Sequence, residues 1–369
     1  MRKLGISLYP EHSTPEKDRA YMEKAADLGF QRIFTCFLSA QEDRVDLISH
    51  FTRFMQEAHD FGFTVSVDTN RSVMEKLGAS AQDLGIFHEI GADIVRLDSP
   101  MSEAENIYLT NNPYGIQIEF NASYMHPLAL YIEKGARRSA MTLCHNFYPQ
   151  EFTGLSLERF EAFNHHYAAS GLPIAAFVSS QAEDTFGPWP VYKGLPTLEI
   201  HRSLPIDLQA RQLISLELVE DILIGNCFAS DEELLALAQV DLSKITLQVQ
   251  TDAAITPLES EILFDNLHAD RADASSYLVR SSLPRIRYGQ SSIPPRPCAA
   301  PAFQKGDVLV VNDQLRHYRG ELQIVREEMP NRGDKNLVGH LDGGECFILD
   351  RLRPQHVFRL IQEGRIYEG

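Results

Sequence analysis

Eight short apolar runs recur through the first 230 residues, at 4–9, 33–37, 64–68, 94–98, 116–120, 140–146, 174–179 and 222–226. Most are separated by stretches of helical periodicity, such as 15–28 and 45–61. A strand followed by a helix, repeated eight times, predicts a closed (β/α)8 TIM barrel. The first unit shows the pattern in detail. Leu4, Ile6 and Leu8 alternate with Gly5, Ser7 and Tyr9, so one face of the strand meets helices and the other the barrel axis. Ser13-Thr14-Pro15-Glu16 then supplies a cap and a proline at the first helical position. Tyr21, Ala25 and Leu28 form an apolar stripe, and Gly29 closes the helix. Phe61-Gly62-Phe63, Ile90-Gly91-Ala92 and Ser170-Gly171-Leu172 repeat that ending before later strands.

The end of the barrel admits two readings. Thr197-Leu-Glu-Ile-His-Arg202 has a strand-like alternation, but Pro196-Thr197 is also a credible helix start. Taking 221–226 as the eighth strand keeps the count at eight and leaves 181–196 as a long loop over the barrel mouth, which is the preferred reading. The last barrel helix then begins near Ser230-Asp-Glu-Glu. Beyond about residue 238 the pattern changes to short β-type runs at 245–249, 277–280, 307–311, 320–324, 335–339 and 346–349. Turns such as Gln304-Lys-Gly-Asp, Asn331-Arg-Gly-Asp and Asp342-Gly-Gly-Glu separate them, and a proline-rich loop occupies 293–301. Length agrees with this, since 369 residues exceed the roughly 250 of one barrel. The expected division is a barrel over 1–238 and a small β-rich domain over 239–369.

Composition changes the picture in three ways. Apolar residues at 44% and charged residues at 23% indicate an ordinary folded chain rather than a disordered or fibrous one. A formal charge of −17 argues against nucleic acid or an anionic membrane as partner, because both need a basic face. The five cysteines (Cys36, Cys144, Cys227, Cys298, Cys346) are odd in number, scattered and without a CxxC pair, as expected of reduced core residues. The chain runs from Met-Arg-Lys straight into a strand, with no apolar leader and no apolar run of about 18 residues. A cytoplasmic protein is expected.

Function in a (β/α)8 barrel sits where the strands end. Arg96 and Asp98 close the fourth strand on one face, and Gln117, Glu119 and Asn121 share one face of the fifth. Two carboxylates on adjacent strands are what glycoside hydrolysis requires, one protonated to help the leaving oxygen and one ionised. Asp98 and Glu119 are therefore the candidate catalytic pair. Around them Tyr9, Glu11, Asp68, Asn70, Asn121, His145, Asn146 and Tyr148 offer donors and acceptors for a polyhydroxylated ligand. The competing reading of Asp98 with Arg96 is a structural ion pair, and His145 could equally satisfy a backbone carbonyl. For a phosphate, the loops after strands seven and eight contribute Lys193, Gly194, Thr197, His201 and Arg202, with a helix N-terminus near Ser230. The second domain adds Arg280-Ser281-Ser282 and Arg319. No HxH or HExxH spacing anchors a metal, and no GxSxG, GxGxxG or Walker loop is present, so no metal and no cofactor is expected.

Several longer motifs also occur in order: Gly5-Ile-Ser-Leu-Tyr-Pro-Glu-His-Ser-Thr14, Arg32-Ile-Phe-Thr35, Val95-Arg-Leu-Asp98, Glu119-Phe-Asn-Ala-Ser123, His145-Asn-Phe-Tyr-Pro149 with Thr153-Gly-Leu-Ser156, Gly194-Leu-Pro-Thr-Leu-Glu-Ile-His-Arg202 and Tyr318-Arg-Gly-Glu-Leu-Gln-Ile324. Together they resemble the bacterial 6-phospho-N-acetylmuramidase (MupG) family over nearly the whole chain. That resemblance implies a barrel followed by a cyclophilin-like β domain. It also implies hydrolysis of the β-1,4 link in 6-phospho-N-acetylmuramyl-N-acetylglucosamine during cell-wall recycling. The expected partner is thus a phosphorylated sugar. Two other functions fit the residues alone: a metal-dependent sugar-phosphate isomerase or aldolase, and a phosphosugar-binding sensor without catalysis.

Overall fold

The computed structural model describes residues 2–37, 44–99, 101–190 and 192–362. Its contacts divide into two compact units, Met1–Ala210 with Leu218–Ala238, and Arg211–Glu217 with Gln239–Gly369.

In the first unit eight parallel strands close on themselves: β1 (Lys3–Ser7), β2 (Arg32–Cys36), β3 (Thr64–Thr69), β4 (Ile94–Leu97), β5 (Gln117–Asn121), β6 (Met141–Cys144), β7 (Ile174–Val178) and β8 (Asp221–Ile224). The expected TIM-like barrel is therefore present, and 221–226 holds its eighth strand, paired with β7 and β1. The competing segment at Thr197–Arg202 instead contains a single 3-10 turn, Glu199–His201. The intervening helices are α1 (Pro15–Asp27), α2 (Arg44–Asp60), α3 (Arg71–Leu77), α4 (Gly85–Glu89), α5 (Glu103–Thr110), α6 (Leu128–Glu133), α7 (Leu157–Ala168) and α8 (Ile206–Leu216), with α9 (Asp231–Ala238) after the last strand. Local chemistry accounts for their ends. Thr14 accepts from the Lys17 backbone N–H at the start of α1. Gly29 and Gly62 follow α1 and α2 at φ of 84° and 85°, a conformation that costs other residues a Cβ clash.

The barrel interior is half apolar and half ionic. Phe34, Cys36, Cys144, Ala175, Phe177 and Leu223 pack together, with Phe34 and Phe177 edge to face at 5.1 Å. On the other side Arg32 donates to Asp221 and to Glu119, each at 2.8 Å, and Ser66 Oγ donates to the second Glu119 oxygen at 2.8 Å. Gly5 makes room for this group, since a Cβ there would lie 2.8 Å from the Arg32 carbonyl and 2.3 Å from Leu223.

The second unit carries a seven-stranded sheet, ordered β10 (His268–Ala269), β17 (Val357–Gln362), β9 (Ile245–Thr251), β16 (Lys335–His340), β13 (Asp307–Val311), β14 (Leu322–Val325), β11 (Leu278–Ser281). A two-stranded ribbon joins β12 (Ala302–Phe303) to β15 (Met329–Pro330). Three helices accompany the strands: α10 (Pro257–Phe264), α11 (Leu283–Tyr288) and α12 (Gly343–Arg351). Five of the six expected β runs are strands, but 346–349 lies inside α12. Asp342 is not a turn residue there. Its carboxylate accepts from the Glu345 backbone N–H at 2.9 Å and caps the helix, while Ile348 and Leu349 are buried. The sequence reading also passed over β17, which pairs parallel with β9.

Candidate active site

The strand register sets the geometry at the C-terminal end of the barrel. Pairing of Asp68 with Arg96 and of Arg96 with Glu119 puts three inward side chains side by side on β3, β4 and β5. Their depths differ. Arg96 reaches upward, donating from Nη1 to Asp68 Oδ1 at 2.5 Å and from Nη2 to Asn146 Oδ1 at 2.5 Å. Asp98, just past β4, places Oδ1 3.9 Å from the same Nη1, and its side chain is 41% exposed. Asn121 Nδ2 ties the group together, donating to Asn146 Oδ1 at 2.8 Å and to the Asp98 carbonyl at 3.3 Å.

Burial pushes the Asp68 carboxyl up from 3.8 to about 6; Arg96 opposes that shift and the Asp98 charge adds to it. The Tyr148 phenol is half-buried and raised by that burial, with hydrogen bonds to Ser123 and Asn146 working the other way. Ser123 was not singled out in the sequence. Its hydroxyl meets His145 Nδ1 at 3.2 Å and accepts from the Asn146 backbone N–H at 3.1 Å, so it sets the start of the β6–α7 loop. Its inclusion in the Glu119–Ser123 motif was the available signal. Asp18 was also missed: buried in α1, it is raised to about 6 by desolvation, and the Glu11 charge adds to that. No local pattern distinguishes it from an ordinary helical aspartate.

Other expected residues stand elsewhere or are already committed. Glu119 does not reach the mouth. Its side chain is 0% exposed and both oxygens are taken by Arg32 and Ser66. His145 is fully buried, receives the Asn164 amide on Nε2 at 3.0 Å and packs on Phe160. Burial lowers its pKa to about 3, so it is a neutral core imidazole rather than a ligand-facing one. The Tyr9 hydroxyl is buried and donates to the Gly225 carbonyl at 2.5 Å. Asn70 caps α3 by accepting from the Val73 N–H at 3.0 Å. Glu11 sits half-buried in a 3-10 turn, Pro10–His12, directly after β1.

The expected phosphate donors fare similarly. Arg202 spends its guanidinium on Glu199, at 2.7 Å from both Nε and Nη2, and on the carbonyls of Lys193, Gly194, Tyr148 and Gln150. At the β7 and β8 loops, Glu233 occupies the anion position: Ser180 Oγ, the Gln181 N–H and the Ser230 N–H all donate to it. In the second unit Arg319 is held by Asp313 and the Gly289 carbonyl. Arg280 pairs with Glu321, which Arg285 also approaches at 3.8 Å. Among the described residues no group of three or more His, Cys, Asp or Glu is placed to hold a metal ion, and no helix is long and apolar enough to cross a membrane.

What these groups can do together is acid–base chemistry on a sugar: two carboxylates of unequal burial beside one arginine, ringed by amides and a phenol. Comparison with known proteins adds the class. An uncharacterized protein from B. cereus has the same structure with a TM-score of 0.90 and 39% identity, over 98% of this chain and 99% of that one. A conserved protein of unknown function from Enterococcus faecalis shares the fold at a TM-score of 0.71 and 24% identity, over 99% and 97%. No curated protein matches the chain. Residues 4–239 match the N-terminal part of the 6-phospho-N-acetylmuramidase family, and residues 245–361 match its C-terminal part. The chain therefore belongs to the 6-phospho-N-acetylmuramidase family and is a glycosidase.

Proposed function

We propose that this protein hydrolyses the β-1,4 bond of 6-phospho-N-acetylmuramyl-N-acetylglucosamine in the cytoplasm, as a step of cell-wall recycling. The barrel, 1–238, carries the chemistry, and 239–369 is the second domain. The observation that carries the reading is that Asp68 and Asp98, at the ends of neighbouring strands, address the same Arg96 nitrogen from 2.5 and 3.9 Å. We assign catalysis to this pair and give Glu119 a scaffolding role through Arg32.

Asp68, whose carboxyl sits at about 6, is the proton donor to the departing oxygen. Asp98, more exposed, is the nucleophile at the anomeric carbon. Its oxygen forms a bond to that carbon as the link to the leaving sugar breaks, and the Asp68 proton goes to the leaving oxygen. Water then cleaves the glycosyl ester and returns a proton to Asp68. Asn121, Asn146 and Tyr148 hold the sugar, with Glu11 at the rim. By the triangle through Arg96 Nη1, the two carboxylate oxygens lie no more than about 6.4 Å apart, the 2.5 and 3.9 Å legs laid end to end. Inverting enzymes hold their carboxyl groups roughly 6.5–9.5 Å apart to seat a water, so this close approach of one oxygen from each group favours retention.

The experiment follows directly. Asp68→Asn and Asp98→Asn should each lower kcat on the phosphorylated disaccharide by about 10² or more without unfolding the protein. NMR of the wild-type reaction should show the β-anomer of the released phosphosugar first. Unchanged rates in both variants would remove the pair from catalysis, and an α-anomer formed first would rule out the double-displacement route.

A further inference from the structure

A cleft of about 460 Å³ opens between the β6–α7 loop and the long loop after β7. Two aromatic rings stand over it with little cover of their own: Phe152 at 89% exposed and Tyr192 at 67%. Phe152 is also held at a φ of 67°, a left-handed conformation that β-carbon sterics disfavour. A loop left to itself would relax such a residue and cover its ring. This one is clamped. Glu199 accepts the Phe152 and Gly154 backbone N–H groups on its two oxygens, each at 2.8 Å. Arg202 grips the same carboxylate, which its hydrogen bonds hold down at about 2. Gly154 has no room for a side chain, since a Cβ would lie 2.6 Å from Glu199 Oε2. Strain concentrated on one exposed aromatic residue points to a ligand-facing role.

The chemistry of the cleft narrows the ligand. Glu151 and Glu199 balance Lys193 and Arg202, so the lining carries no net formal charge. The rest of the lining is small or polar: Ser180, Gln181, Ala182, Thr185, Gly194 and Ser203. Rings with amides and hydroxyls in a neutral setting suit an uncharged pyranose rather than a phosphosugar. The same loop begins at Asn146, which binds Arg96, and Arg202 holds the Tyr148 carbonyl.

We propose that this cleft is a subsite for the uncharged amino sugar on the leaving-group side, stacked on Phe152 and Tyr192. The proposal rests on the glycosidase reading above. Its test is binding without turnover. N-acetylglucosamine is titrated into full-length Asp98→Asn protein and followed by saturation-transfer NMR. Adding Phe152→Ala or Tyr192→Ala should weaken binding about tenfold, the scale of one lost ring contact, and Phe152→Trp should restore it. In otherwise wild-type protein Phe152→Ala should raise KM for the disaccharide, leaving kcat and Tm unchanged. Absence of saturable binding up to about 50 mM, or equal affinity in the alanine variants, would overturn the subsite. Sugar binding that responds to these variants, with no cleavage of the disaccharide by the wild-type protein, would sink the glycosidic substrate and leave the subsite standing.

Discussion

Asp68 and Glu119 show how much one residue's depth decides. Both point inward, as period-two alternation requires, and both lie beside Arg96 in register. Asp68 is the fifth residue of β3 and meets the site, while Glu119 is the middle residue of β5 and meets Arg32. Glu119→Gln should therefore act on stability. It leaves a buried guanidinium partly uncompensated, at a cost of roughly 3 kcal/mol, visible as a Tm several degrees lower in thermal melts. For Asp68 the linkage has a definite sign. Its folded pKa, about 6, lies above the ordinary 3.8, so the stability its proton supplies is complete below about pH 4 and lost as pH rises through 6. Melting Asp68→Asn alongside wild type should show the variant gaining relative stability between pH 4 and 7. In its proposed role as proton donor, Asp68 should also make kcat fall above about pH 6. Alternation along the sequence marked the face of each of these carboxylates; it carries no information on their depth, because depth depends on strand stagger around the closed barrel.

At the scale of elements, helix caps and strand ends were legible where the signal is local. Thr14-Pro15 opens α1 as expected, because capping involves atoms three residues apart. Asp342-Gly-Gly-Glu345 was misread for a related reason: aspartate and glycine serve turns and caps alike, and the buried Ile348 and Leu349 decide in favour of a helix. Asp342→Ala should cost about 1 kcal/mol, measurable by denaturant unfolding. The clamp on Phe152 was not legible. Glu199 and Arg202 are 47 and 50 positions away, and nothing in 150–156 announces a left-handed phenylalanine. The same holds for Glu233, which fills the anion position between the β7 and β8 loops from 52 or 53 residues away.

For the whole molecule, the charge of −17 argues against a polyanionic partner, and a gel-shift with duplex DNA at about 0.1 M salt should show no complex. Family membership decides among the three functions that the residues alone left open, in favour of the glycosidase. By itself the sequence determined the eight-fold strand–helix alternation, the change to β-type runs after the barrel, and the types of side chain that gather at strand ends. These follow from periodicity and from contacts a few residues long. The tertiary structure alone decided which carboxylates meet, which arginines are already spent, and which loop is held under strain. Those outcomes depend on hydrogen bonds that close across many tens of residues, where the register of one strand against its neighbours sets whether two charges touch.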